Sequence, residues 1–180
     1  HFEALDGLRG LAAIMIVVFH IYEILSPELS KSPVAHGFLA VDFFFCLSGF
    51  VIGYAYDERA NGPDGVKQFL INRLIRLQPL VILGTLFDLV ALLLDPYLPQ
   101  SAVAEFGWGK IALATLCSVL LLPSPILGRY DNVFPLNAPA WSLSMEYIIS
   151  LVYAFVFIRL NKKWLAAFMV LSAIALIGVA

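Results

Sequence analysis

Charged side chains are scarce in this 180-residue chain, where Asp, Glu, Lys and Arg together make up 13% of the residues. Soluble domains average about a quarter charged and about half apolar residues. Here 61% of the residues are apolar, which excludes an ordinary soluble domain and indicates an integral membrane protein. The formal net charge is −2 and no basic block occurs, which argues against nucleic acid as a partner.

Cysteine is also scarce. The chain has only Cys46 and Cys117, each inside an apolar run, and it has no zinc-ligand spacing. A small buried apolar side chain is therefore the interpretation for both cysteines, and neither a disulfide nor a metal site is expected.

Long apolar runs dominate what remains. About 20 residues cross a hydrocarbon core of roughly 30 Å as a helix, so six runs are candidate spans. The fold class expected is an all-α, polytopic membrane bundle of about six helices. The runs are 10–25, 37–56, 74–94, 108–122, 141–158 and 164–180, and the run 108–122 is the shortest and weakest.

The basic residues predict the orientation, because cytoplasmic loops carry the excess of Lys and Arg. Arg59, Lys67, Arg73 and Arg76 fall in 57–76, which is therefore expected to be cytoplasmic, together with the N-terminus. If all six runs cross, the basic segment 159–163 lies outside, against this rule. If 108–122 is re-entrant or lies flat, the segment 159–163 returns to the cytoplasm. Both versions stay open, and the rule favours the second.

The first run contains two ionisable residues, Arg9 and His20. Eleven helical steps leave them about 20° apart in azimuth and roughly 16 Å apart along the axis. Glu23 lies three residues beyond His20, so a carboxylate can fix the imidazole tautomer or favour the protonated form of the imidazole. An Arg or Asp at depth costs at least ~2.5 kcal/mol, so such groups should face protein or water. The same argument applies to Asp42 and, less strongly, to Glu146.

Every residue considered as a candidate for function also has a purely structural interpretation. The structural interpretations are snorkelling for Arg9, a satisfied core histidine for His20, helix packing for Asp42 and Ser48, the positive-inside signal for Arg73 and Arg76, and an aromatic belt for Trp141. Taken together, the residues suit a reaction on a phosphorylated donor inside a membrane protein, and they equally suit a proton relay.

Four stretches, in this order, resemble the membrane acyltransferase-3 family, which O-acylates cell-surface polysaccharides and related acceptors. The stretches are "LDGLRGLAA" with "FH", "AVDFFFCLSGFVI", "FLINRLIRLQP" and "LNAPAWSLSMEYIISL". In the first stretch, Arg9 and His20 match the family's signature of an arginine, ten further residues and a histidine. The resemblance runs through nearly the whole chain.

The resemblance implies a single membrane domain of about ten helices, of which residues 1–180 are the N-terminal part, cut at the C-terminus. It implies a multi-pass protein of the inner (plasma) membrane that moves an acyl group from cytoplasmic acyl-CoA to an acceptor hydroxyl. Acetyl-CoA is the commonest donor, and the acceptor is a cell-surface carbohydrate or a glycoside. No bound cofactor and no metal are expected.

The resemblance also assigns roles to single residues. His20 is the prime catalytic candidate, as a general base or a transient acyl carrier. The other candidates are Arg9 and Glu146 as catalytic partners, Arg73 and Arg76 for the acyl-CoA phosphates, and Asp42, Ser48, Trp141 and Ser142 for the acceptor or structural support. The alternative function is a transporter or proton relay through His20, Glu23, Asp42 and Glu146.

Overall fold

The computed structural model describes residues 3–26, 28, 32–56, 65–98, 100–127 and 133–179. Within these ranges the chain forms seven α-helices and no strand, which confirms the all-helical fold class. The helices are α1 (Glu3–Leu25), α2 (Leu39–Tyr56), α3 (Gly65–Leu93), α4 (Ala102–Phe106), α5 (Trp108–Val119), α6 (Ala140–Phe155) and α7 (Lys162–Val179). The chain divides into two compact units, His1–Arg59 and Ala60–Ala180, and each is described by itself.

Every predicted apolar run is helical, but the helices differ in length. Among the described residues, three helices are long and apolar enough to cross a membrane: Ala4–Leu25, Gly65–Leu93 and Ala140–Arg159. The 12-residue α5 is only about 18 Å long, too short for a full crossing. Large apolar side chains are exposed along all the long helices, as expected of surfaces that face lipid. Arg59, one of the residues that predict the orientation, lies outside the described residues.

In the first unit, α1 and α2 pack on each other through a close approach at Gly37. A Cβ atom at Gly37 would lie 2.7 Å from the Cβ of Phe19, so only glycine lets the turn before α2 lie against α1. The less exposed stripe of α1 contains Leu5, Arg9, Ala12, Ile16 and Phe19, with His20 beside it. Cys46 on α2 is a free, exposed thiol, so its predicted burial is wrong.

The second unit is organised along α3. Its buried stripe recurs every fourth residue through most of the helix: Phe69, Arg73, Leu77, Val81, Thr85 and, seven residues on, Leu92. Helix α6 runs antiparallel to this stripe. The ring of Phe69 lies 5.5 Å from that of Tyr153, near the end of α6, whereas Gly84 approaches Asn137, just before α6 begins.

Helix α5 runs back along α3, and the chain after α5 then returns toward the end of α3 from which it came. Ile111, in its first turns, packs in one apolar cluster with Leu92, and at its other end the carbonyl of Val119 accepts a 2.6 Å hydrogen bond from Gln78. The chain then returns, because Leu127 and Leu136 join the same cluster as Leu92. The segment that contains α5 therefore begins and ends at the same end of α3, which agrees with the re-entrant version of the predicted topology.

The turn after α5 is closed by a hydrogen-bonded cap. The N–H groups of Leu121 and Leu122 donate to the carbonyls of Ser118 and Cys117, and Leu121 has a positive φ of 55°. This is the Schellman arrangement, which ordinarily places glycine at the left-handed position. The buried hydroxyl of Ser144 donates to the carbonyl of Leu121 at 3.0 Å, so α6 holds the turn in place.

Candidate active site

His20 is hydrogen-bonded to a carboxylate on its own helix. Its Nδ1 lies 2.9 Å from Oε2 of Glu23, one turn further along α1, and the two side chains are 44% and 53% exposed. An ionised carboxylate only accepts hydrogen bonds, so a contact with it is made by the tautomer of His20 that carries its proton on Nδ1. That neutral tautomer leaves a free lone pair on Nε2, which is the requirement for a general base or a nucleophile.

One aromatic ring lies against His20, and a series of ring contacts continues from it. The Phe19 ring meets the His20 ring edge to face at 5.5 Å and the Phe38 ring in the same manner at 6.4 Å. The ring of His36 lies 6.0 Å from Phe38, so a second histidine is at the same end of the first unit. No helical spacing connects His36 to His20, and sequence reasoning missed it.

Arg9 lies on the same continuous helix as His20, as predicted, but it has a different partner. Its Nη1 donates to Oδ1 of Asp6 at 3.0 Å, and the Arg9 side chain is 26% exposed. The helical rise puts about 16 Å between Arg9 and His20, so the two side chains line one side of α1 at separate depths. Asp6 was not recognised from the sequence, although its spacing of three residues from Arg9 permits this contact.

On α2, Asp42 occupies the first helical turn and is exposed. A carboxylate in that position interacts favourably with the positive end of the helix dipole. Ser48 lies about two turns further along α2 and is half-buried.

In the second unit, Arg73 and Glu146 form a buried ion pair. Nη1 of Arg73 donates to Oε1 of Glu146 at 2.7 Å, and the side chains are 7% and 19% exposed. The Arg73 guanidinium also lies 5.8 Å from the centroid of the Phe69 ring, within the range of a cation–π contact. The pair joins the third and fourth of the motif stretches identified in the sequence. The pair places a charge at the second of the six positions in the buried stripe of α3.

Arg76 has different surroundings from Arg73, although three residues separate them. Arg76 is exposed and follows Gln68 and Asn72 at four-residue spacing, and the side chains of Gln68 and Asn72 are hydrogen-bonded at 2.9 Å. These three residues, Gln68, Asn72 and Arg76, form a polar strip beside the buried stripe of α3. The two arginines therefore do not present one exposed edge.

Trp141 and Ser142 lie in the first turn of α6. The Trp141 side chain is exposed, and the hydroxyl of Ser142 donates to the carbonyl of Pro139 at 2.9 Å, a contact within the helix start. Sequence reasoning missed a polar chain nearby. The Tyr147 hydroxyl donates to Oε1 of Gln78 at 3.4 Å, and Gln78 donates to α5, so three helices are linked.

A cavity of about 310 Å³ lies at the far end of α3, between that helix and the segment before α6. Its lining includes Asp88, Asp95, Tyr97 and Pro135. The Asp95 carboxylate accepts a 3.0 Å hydrogen bond from the backbone N–H of Tyr97. The sequence gives Asp88 no patterned companion, whereas the structure places Asp95 on the same cavity.

All but the first residue of the chain, residues 2–180, matches the sequence model of a family described as an acyltransferase domain, Acyl_transf_3. The chain belongs to the acyltransferase-3 family. Membership assigns this acyltransferase-3 domain to a family of transferases, and together with the spanning helices it identifies an integral membrane protein.

Relatives of the acyltransferase-3 domain differ in how much of their length it covers. It is 32% identical to "Protein 2 in picA locus" of Rhizobium radiobacter, over 97% of this chain and 92% of that protein. It is 29% identical to "Acyltransferase MdmB" of Streptomyces mycarofaciens, over 89% of this chain and 40% of that protein. It is 38% identical to "Putative O-acetyltransferase SACOL0978" of Staphylococcus aureus (strain COL), over 46% of this chain and 13% of that protein. No solved structure matches the chain.

Proposed function

We propose that the protein is an O-acyltransferase of the inner membrane, which moves an acyl group from cytoplasmic acyl-CoA to a hydroxyl of a cell-surface carbohydrate or glycoside. The observation that carries the proposal is the histidine–carboxylate pair of His20 and Glu23 on α1, in a chain of the acyltransferase-3 family. The similarity to an O-acetyltransferase named in Staphylococcus aureus supports an oxygen acceptor, and acetyl-CoA is the donor proposed first.

In this proposal His20 does the chemistry. Its Nε2 takes the proton of the acceptor hydroxyl as a general base, or it carries the acyl group for a short time as a nucleophile. His20 lies five residues before the end of α1, so an acceptor that arrives from the outer side has a short path to it. In the first unit, Asp42 and Ser48 of α2 are proposed to shape the acceptor site. In the second unit, Trp141 and Ser142 of α6 are proposed for acceptor binding or structural support.

The donor is proposed to bind at the basic end of α3. Arg76 is exposed and is flanked by the amides of Asn72 and Gln68, a set of hydrogen-bond donors that suits phosphate oxygens. Arg9, also near the cytoplasmic end by the orientation rule, is proposed to steady the thioester end.

Arg73 and Glu146 are proposed to serve the same site in another way. Their ion pair fixes α3 against α6, so that Arg76 is held at a constant position on the cytoplasmic side. Glu146 then supports catalysis through this packing, and Arg73 contributes to donor binding through the position of its helix.

The first test is a His20→Ala variant of the full-length protein, assayed for transfer of labelled acetyl from acetyl-CoA to surface glycan. The rate should fall by at least about 100-fold, the usual contribution of a general base. His36→Ala, the same change at the other described histidine of the first unit, is the matched control and should keep the rate. Full activity of a folded His20→Ala variant would remove His20 from the catalytic role.

The second test concerns the donor. Arg76→Gln removes one charge-assisted hydrogen bond to phosphate, so KM for acyl-CoA should rise about tenfold while kcat changes little. Lys67→Gln removes an equal charge from an exposed residue of the same helix and should raise that KM by about twofold at most, by the loss of a screened surface charge. If both variants raise KM equally, Arg76 is not a specific phosphate ligand.

A proton relay is the second candidate function, because the hydrogen bond between His20 and Glu23 is also what a proton path requires. It predicts proton flux through proteoliposomes in the absence of acyl-CoA. Flux that is lost in His20→Ala, with no acetyl transfer in the unmodified protein, would favour the relay over the transferase.

A further inference from the structure

We infer that Glu23 is the positioning residue of His20 and that Nε2 of His20 is the atom that meets the acceptor hydroxyl. This inference rests on the proposed function, since it names the working atom of the proposed catalytic residue. Neither the family match nor the names of the relatives assign a role to Glu23.

The contact geometry supports this assignment. Oε2 of Glu23 lies 2.9 Å from Nδ1 of His20, within the ordinary range of a hydrogen bond from a ring N–H to a carboxylate. The spacing of three residues on one helix places the two side chains within reach of each other without the help of another helix. The Phe19 ring meets the imidazole in a T-shaped arrangement, with 5.5 Å between the ring centroids.

The other acidic candidates are less suited to this role. Oε1 of Glu146 accepts a 2.7 Å hydrogen bond from Arg73, an arginine that is itself buried and needs the counter-charge. Asp42 lies in the first turn of α2 and is exposed, where the helix dipole stabilises its charge. Glu23 is the acid that touches the imidazole in the described part of the chain.

The reaction step then balances as follows. The acceptor O–H bond breaks and its proton goes to Nε2, while the acceptor oxygen forms a bond to the carbonyl carbon of the acyl thioester. The C–S bond breaks, and the leaving thiolate takes the proton back from Nε2 as a free thiol. The Glu23 carboxylate stays ionised throughout. It holds the Nδ1–H and stabilises the imidazolium that exists between the two proton transfers.

The experiment uses the full-length protein in lipid nanodiscs, labelled with ¹⁵N-histidine, at about pH 8.5, where free imidazole is neutral. The ¹⁵N shifts of His20, assigned by their loss in His20→Gln, show which ring nitrogen carries the proton. Glu23→Ala removes the acceptor, Glu23→Gln keeps an acceptor oxygen without the charge, and Glu28→Gln removes an equal charge just beyond the helix. The unmodified protein, Glu23→Ala, Glu23→Gln and Glu28→Gln are also assayed for kcat and for the KM values of the acyl donor and of the acceptor.

The expected result is the Nδ1–H tautomer in the unmodified protein and a shift to Nε2–H in Glu23→Ala. With this shift, kcat should fall roughly 10- to 100-fold and both KM values should change less than about twofold. Glu23→Gln should keep the Nδ1–H tautomer and recover part of kcat, and Glu28→Gln should match the unmodified protein. A purely structural role would not change the tautomer.

Three results would overturn the inference. The first two are an Nε2–H tautomer in the unmodified protein and an unchanged tautomer in Glu23→Ala. The third is an unchanged kcat in Glu23→Ala beside an active unmodified protein. If the unmodified protein transfers no acyl group, the proposed function fails, and the tautomer measurement still decides the role of Glu23 separately.

Discussion

Arg73 shows how a single charged residue is accommodated inside a membrane helix. Its guanidinium occupies one position of an otherwise uncharged stripe, and three kinds of contact surround it: the Glu146 carboxylate, the Phe69 ring and the packing of α6. Desolvation of two charges costs several kcal/mol per ion, which the pair recovers only with close geometry. The 2.7 Å hydrogen bond provides that geometry.

This pair leads to a prediction at the residue scale. Glu146→Gln leaves the buried guanidinium without its counter-charge and should lower the free energy of unfolding by about 3 kcal/mol or more. The double variant Arg73→Leu, Glu146→Leu removes both charges and should be closer in stability to the unmodified protein than Arg73→Leu or Glu146→Leu alone. Unfolding by denaturant in detergent measures the stabilities of the unmodified protein, Glu146→Gln, the two single leucine variants and the double variant. Additive losses in the double variant would contradict a direct interaction between the two residues.

The sequence alone could not separate the two arginines of the basic segment. A spacing of three residues places Arg73 and Arg76 about 60° apart on a helix, so both could have belonged to one exposed face. The position of α6 decides otherwise, because it covers the stripe with Arg73 and leaves the strip with Arg76 open. Glu146, the residue that selects Arg73, is 73 positions away in sequence.

In the first unit, the packing of α2 on α1 depends on how closely the turn between the two helices approaches α1. Gly37 is buried against Phe19, and the flanking residues His36 and Phe38 carry the aromatic contacts that continue to His20. The turn thus determines what lies beside the proposed catalytic histidine.

The prediction at this scale is that Gly37→Ala destabilises the first unit. Its new Cβ would lie 2.7 Å from the Cβ of Phe19, an atom fixed to the helix backbone, so the turn must move away at a cost of about 1–3 kcal/mol. Gly49→Ala is the control, because no atom lies within 4 Å of its new Cβ and alanine favours the helix. Thermal unfolding in detergent should show a lower Tm for Gly37→Ala alone. Equal Tm values for the two variants would contradict the close approach.

Across the second unit, the re-entrant course of α5 brings the basic residues to one end. Helices α3 and α6 are antiparallel and α5 does not cross, so Lys67 at the start of α3 and Arg159 after α6 lie at the same end. This arrangement satisfies the positive-inside rule, which six full crossings would violate.

Cysteine labelling from outside the cell tests this topology. In a background of Cys46→Ala and Cys117→Ala, single cysteines replace Tyr97, Val133 and Asn161, all exposed residues between helices. The re-entrant course predicts labelling of Tyr97→Cys and Val133→Cys but not of Asn161→Cys. If α5 crossed the membrane, positions 97 and 161 would label together and position 133 would not.

The sequence by itself determined the class of the molecule. An apolar content of 61% with few charges leaves a helical membrane protein as the solution, since the backbone must satisfy its own hydrogen bonds in lipid. Helical periodicity placed Arg9, His20 and Glu23 on one side of α1, because such contacts depend only on spacing within one helix. Tertiary structure alone decided that Arg73 is buried, that Glu146 is its partner and that α5 turns back. These features depend on contacts between helices far apart in sequence, which no local pattern encodes.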